Sequence, residues 1–133
     1  MRKFIEQIAK DFISVPESAT VAQAVETIRA RKSDFQEKFL YLYTVDGEGR
    51  LAGVVQLRDL LLSDAKEPVR ALARPNPVFL RTADSDETAE HIFRKHPFFA
   101  LPVVDERGTL VGTLSAADVT SREHVEARRM LQR

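Results

Sequence analysis

Apolar residues dominate positions 40–45 and 100–104, and again 51–55 and 110–114. Each pair of runs is joined by a polar stretch containing glycine: Asp46, Gly47, Glu48 and Gly49 in one, Asp105, Glu106, Arg107 and Gly108 in the other. Short apolar runs bracketing such residues predict two β-hairpins. The period then changes. A helix is expected to begin near Gln56 and near Ser115, and Leu57, Leu60 and Leu61 give the first of these an apolar stripe. Upstream, 13–15 and 78–80 read as short strands. Thr20 precedes Val21, Ala24, Val25 and Ile28, which recur at helical spacing, and Gln23 stands where a capping box needs its second partner. Ser85 is the matching cap for a helix with Asp86 and Glu87 in its first turn and Ala89, Ile92 and Phe93 on its buried face.

These elements occur twice. Residues 42–60 align with 101–119 at a constant offset of 59, and seven of the 19 positions are identical, among them Asp46/Asp105, Gly53/Gly112 and Asp59/Asp118. Chance gives about one or two matches, so a duplication is the better account. The front halves match at an offset of 65, which leaves six additional residues in the first copy, within 31–39. Each copy reads strand, helix, strand, strand, helix. The expected fold is α+β, with two repeats packed in pseudo-two-fold symmetry because neither alone is large enough to bury a core. The first repeat is expected over 1–66, opened by an amphipathic helix carrying Phe4, Ile5, Ile8 and Phe12, and the second over 67–122. Residues 123–133 are expected to form a helical tail or linker. Pro68 and the Pro75, Asn76, Pro77 run bracket a short helical turn between the copies.

Charge and composition narrow the functional classes. The 133 residues carry 20 Lys and Arg against 20 Asp and Glu, which supplies no global field for a nucleic-acid backbone. The absence of cysteine removes disulfides, thiolate zinc sites and thiol nucleophiles together. No apolar run approaches the ~18 residues that would span a bilayer. No nucleophile–base pair, paired-carboxylate motif or Walker loop is present, so an enzyme is not expected.

The second hairpin reads Leu101, Pro102, Val103, Val104, Asp105, then Gly108, Leu110 and Gly112, with Asp118 six residues after the last glycine, and the first copy repeats the pattern. In this the chain resembles a CBS domain pair, or Bateman module, over roughly residues 8–122. The segments Tyr41 to Asp46, Leu57 to Leu61 and His96 to Pro102 bring it nearest to the cytosolic CBS pair of MgtE-type magnesium transporters. The resemblance implies a regulatory module that binds an adenine nucleotide (ATP, ADP or AMP) between its repeats. It also implies a homodimer at the cytoplasmic side of the inner membrane, acting on the transmembrane domain of a cation transporter. In the family a Gly-h-h-[Ser/Thr]-x-x-Asp motif, with h apolar, lines each cleft. The second copy keeps it from Gly112 through Ser115 to Asp118, whereas the first has Gln56 where the hydroxyl should be, ahead of Asp59. By the same resemblance Tyr41, Arg58, Asp59 and Phe98 correspond to nucleotide-contacting positions.

The residues themselves allow each role and a plainer one. A carboxylate such as Asp59 or Asp118 can accept two hydrogen bonds from a ribose diol, or simply favour a helix start. Arg58 suits a di- or triphosphate tail. Tyr41 and Tyr43, two apart on a strand, share a face and offer a ring to adenine, or pack in the core. Phe98 is a cleft residue or a filler between repeats. Asp84, Asp86, Glu87 and Glu90 could meet a hydrated Mg²⁺ or serve as an ordinary helix N-terminus, while His91, His96 and His124 lack metal-ligand spacing. The alternative to ligand sensing is a structural dimerisation module with its clefts filled by its own side chains.

Overall fold

Two three-stranded sheets, one per repeat, form the frame. The structure is a computed structural model and describes residues 4–31, 41–74 and 76–119. Most of the six-residue expansion, the end of the second repeat and the predicted tail over 123–133 lie outside those residues. In the first repeat, β1 (Ser14–Pro16) lies parallel to β2 (Tyr41–Val45), which turns back antiparallel into β3 (Leu51–Gln56). The helices are α1 (Val21–Ala30) and α2 (Leu57–Leu61). The second repeat has β4 (Leu80–Arg81), α3 (Asp86–Lys95), β5 (Ala100–Val104) and β6 (Leu110–Ser115), and residues 116–119 are helical. The α+β architecture and the hairpins fall where the apolar pattern put them. β1 and β4 begin one or two residues later than their apolar runs, because parallel pairing reaches only from Ser14 and from Leu80.

Local chemistry fixes the element ends. Thr20 and Gln23 form the expected capping box on α1, with N–H···O distances of 2.9 and 3.2 Å, and Ser85 Oγ accepts the Thr88 N–H at 3.1 Å on α3. Both hairpins turn the same way: Asp46 Oδ1 accepts the N–H groups of Glu48 and Arg50, and Asp105 Oδ1 those of Arg107 and Thr109. Gly49 and Gly108 take positive φ values of 81° and 86° to complete these turns. Each hairpin also carries a register shift at the same place, between Thr44 and Val45 and between Val103 and Val104.

The repeats meet about a pseudo-two-fold axis at the hairpin tips. The Leu51 N–H donates to the Gly108 carbonyl at 3.0 Å and the Leu110 N–H to the Gly49 carbonyl at 3.2 Å. A second exchange reinforces the first. The 3₁₀ turn Phe4–Gln7 packs Phe4 into the core of the second repeat, with Leu80, Leu101, Val103 and Leu114. The 3₁₀ turn Val69–Ala71 packs Val69 into the core of the first, with Val15, Leu42, Val55 and Leu60. Beyond these turns Ala9 bridges to Thr113 and Arg74 bridges to Val54. The N-terminal segment and the inter-repeat linker are therefore one element in two copies, each docked on the opposite repeat.

This corrects the amphipathic helix expected over 1–12. Among the described residues of this stretch the 3₁₀ turn Phe4–Gln7 forms instead, and the backbone of Ala9 runs extended beside β6, with both hydrogen bonds to Thr113 made at 2.8 and 2.9 Å. Strand pairing fixed the backbone in place of a helical ladder, while Phe4 and Ile8 kept their apolar contacts. Gly53 and Gly112 make the crossings possible. A Cβ on Gly53 would stand 2.8 Å from that of Ala73, and one on Gly112 would overlap Ile8.

Candidate functional site

The end of β3, the start of α2 and the chain leading into β5 enclose a cleft between the repeats, with Tyr41 at its centre. The Tyr41 hydroxyl accepts the Phe99 N–H at 3.3 Å, and its ring meets Phe98 edge-on with centroids 6.4 Å apart. Two chambers share Tyr41 and Gln56 as a partition. The inner one, of about 150 Å³, is bounded by Tyr43, Val54, Phe98 and Leu101, with Arg74 in its wall. The outer one, of about 400 Å³, is bounded by Leu57, Arg58, Leu61 and Phe99.

Of the predicted residues, Tyr41, Tyr43, Arg58 and Phe98 are brought together by this cleft. Asp59 lines neither chamber directly; it lies next to Arg58, with Nε and Oδ1 4.0 Å apart and both side chains partly in solvent. Tyr43 is only 2% exposed, and its ring meets Phe12 edge-on at 6.4 Å, so it serves as floor rather than as a free platform. Burial, and secondarily the neighbouring Tyr41, pushes the Tyr43 phenol well above its ordinary range and keeps it neutral. Ser115 and Asp118 lie at the equivalent place on the other repeat. There Ser115 Oγ accepts the Asp118 N–H at 3.3 Å, an ordinary cap at the start of the last helix.

Gln56 behaves differently from its counterpart Ser115. It occupies the N-cap position of α2 without a side-chain cap bond and lines the cleft. Sequence reasoning missed Arg74 and Asn76, which also line the inner chamber. Asn76 has a φ of 53°, in the left-handed region that asparagine tolerates better than most residues. It also missed the role of His96, which stacks on Phe98 with centroids 5.9 Å apart and steadies that ring.

Other sites carry less. Asp84 Oδ2 accepts the Arg81 N–H and Asp86 Oδ1 the Phe4 N–H, each at 2.8 Å, so these acids are engaged in holding backbone. Among the described residues no three His, Asp or Glu side chains converge into a metal cluster. A wider concavity of about 830 Å³ beside the second hairpin, lined by Phe79, Arg81, Thr82 and Arg107, contains none of the predicted residues. Among the described residues no helix is long and apolar enough to cross a membrane.

A duplicated strand–helix–strand–strand–helix unit with a cleft between its copies defines a CBS pair. The CBS domain family model matches residues 5–66 and 69–124, and the chain belongs to this family. It is 36% identical over 117 residues to the magnesium transporter MgtE of Thermus thermophilus, covering 88% of this chain and 26% of that protein. The MgtE of Enterococcus faecalis is 28% identical over 109 residues, 82% of this chain and 24% of that protein. The chain thus spans about a quarter of the length of these relatives. Among solved structures it is similar to the cytosolic domain of the Mg²⁺ channel MgtE in complex with ATP, with 35% identity and a TM-score of 0.80 over 86% of this chain and 46% of that one. It is also similar to CBSX2 in complex with AMP, with 25% identity and a TM-score of 0.71 over the full length of both chains.

Proposed function

We propose that this CBS pair is a regulatory module that senses an adenine nucleotide in the cleft around Tyr41 and controls a divalent-cation transport domain from the cytoplasmic side. The observation that carries this reading is the grouping of Tyr41, Phe98 and Arg58 in one cleft, in a chain similar to a domain solved with ATP. The apolar inner chamber suits the base, the outer chamber with Arg58 suits phosphate, and Asp59 beside it suits the ribose diol. The chemistry is binding without turnover. Mg²⁺ enters as a companion of the nucleotide phosphates, which ordinarily carry it.

The dimensions suggest how binding becomes a signal. An inner chamber of about 150 Å³ is smaller than the ~300 Å³ at which small-molecule sites begin, so the two chambers must merge to admit a nucleotide. Merging them displaces Tyr41 from Phe98 and from the Phe99 N–H, contacts that join one repeat to the other. A ligand that favours the separated arrangement thereby shifts the packing of the repeats. The exposed Leu61, Leu62 and Phe99, at 71%, 84% and 69% exposure, offer an apolar face beside the cleft for a second copy, so that the working unit is a homodimer.

The narrow, self-filled cleft also favours a second reading, a structural dimerisation module with no ligand. Titration calorimetry with ATP, ADP, AMP and S-adenosylmethionine separates the two. Saturable binding that Asp59→Asn weakens by about 1.5–3 kcal/mol supports sensing, while no heat with any of the four, together with a stable dimer, supports the structural reading.

A further inference from the structure

We infer that residues 4–9 form a releasable strap on the second repeat, undocking as a unit while the equivalent linker segment 69–74 stays in place. The offset of 65 relates the two segments position by position: Phe4 with Val69, Gln7 with Leu72, Ile8 with Ala73 and Ala9 with Arg74. At three of these four places both copies make the same kind of contact. Phe4 and Val69 enter opposite cores, Ile8 and Ala73 lie against Gly112 and Gly53, and Ala9 and Arg74 pair with Thr113 and Val54.

Gln7 breaks the match. Leu72 packs against the first core as a hydrocarbon, whereas Gln7 brings an amide to the same place. Its Oε1 is buried without a hydrogen-bond partner, alone in this among the side-chain nitrogens and oxygens of the described residues. Docking strips water from that oxygen and returns nothing, and release restores it. The leading tie also differs in kind. The Phe4 N–H donates to Asp86 Oδ1 at 2.8 Å, an acceptor on a rotatable side chain. The Val69 N–H donates at 2.8 Å to the Ala19 carbonyl, which is fixed in the backbone. Burial of the Phe4 ring keeps the docked state dominant, and the stranded amide narrows its margin. Release uncovers two features together: the slot among Leu80, Leu101 and Leu114 that Phe4 fills, and the edge of β6 that Ala9 covers at Thr113. An apolar slot beside a bare strand edge is what an extended segment adds to, so the strap gives the second repeat a covered and an open state.

Native-state hydrogen exchange reads the release at the Ala9 and Thr113 N–H groups, which bond each other's carbonyls across the strap, and at the Val69 and Arg74 N–H groups of the linker. In wild type the strap pair is expected to open together, with protection at least about tenfold lower than the linker pair. Its exchange is also expected to depend little on urea, because local release exposes little surface. Gln7→Leu puts the linker's residue into the strap, and Gln7→Met removes the amide while keeping an unbranched side chain of similar length. Each is expected to raise the protection of Ala9 and Thr113 about tenfold, and the methionine variant decides the matter where a branched leucine does not fit. Equal protection at all four amides, or a strap pair better protected than the linker pair, overturns the inference. So does a methionine variant that leaves strap protection unchanged or is less stable than wild type in urea.

Discussion

Phe99 donates its backbone N–H to the hydroxyl of Tyr41 at 3.3 Å, so a tyrosine on β2 of the first repeat is tied to the chain that leads into β5 of the second. With the edge-on contact to Phe98, this makes one side chain both a wall of the cleft and a fastening between repeats. Tyr41→Phe keeps the ring and removes the acceptor. Because this hydrogen bond is exposed to solvent, the expected cost is modest, about 0.5 kcal/mol in urea unfolding. Tyr41→Ala removes the ring as well and is expected to abolish measurable nucleotide binding. Nucleotide affinity unchanged in Tyr41→Ala would place the ligand elsewhere.

The glycines of the two hairpins are not interchangeable. Gly112→Ala drives a methyl into Ile8 and the Ala9 carbonyl, and is expected to destabilise by about 1–3 kcal/mol through overpacking at the crossing. Gly47 has open space around its would-be Cβ and no positive φ, so Gly47→Ala is expected to be neutral or stabilising by up to about 1 kcal/mol. Equal urea midpoints for the two variants would refute the close approach as the reason for Gly112.

Helix capping has diverged between the copies. Ser115→Ala removes the acceptor of the Asp118 N–H and is expected to cost about 1 kcal/mol. Gln56→Ala removes no cap bond, and its effect is expected on ligand affinity instead of stability. Denaturation and calorimetry on both variants give the comparison, and the reverse pattern would contradict it.

Asp46 makes stability depend on acid. The N–H groups of Arg50 and Glu48, and then the Arg50 side chain, hold its carboxyl below the usual carboxylate range. A depressed native value means the contribution is fully present above the unfolded-state value of about 4 and is lost as pH falls through the lower native one. The advantage of wild type over Asp46→Asn in urea midpoint is therefore expected to be constant from neutral pH down to that window and to shrink below it. An advantage that persists unchanged into strong acid would show that the carboxylate charge is irrelevant to the turn.

The repeat, the hairpins with their Asp-initiated turns, the capped helices and the α+β class are all legible in the chain's own pattern. These follow from local chemistry: a period of two, a turn residue, or a cap three residues from its partner, each contained within a few neighbours. Tyr41, Arg58 and Phe98 are singled out by the resemblance to MgtE-type CBS pairs, not by local chemistry or by the duplication, since the second copy has Ala117 in place of Arg58 and Ala100 in place of Tyr41. The exchange of leading segments was decided only by tertiary structure. Residues 4–9 carry apolar positions that suit a helix, and nothing local distinguishes a helix face from a 3₁₀ turn followed by a strand that pairs with a chain about a hundred residues away. The same exchange put Arg74 in the cleft and made Gly112 a point of contact for Ile8. Tyr43 was likewise settled by packing, since strand alternation puts it on the face of Tyr41 but cannot say that Phe12 will cover it. Long-range pairing assigns these roles, because backbone hydrogen bonds and apolar contacts between distant segments have no signature in the spacing of either segment alone.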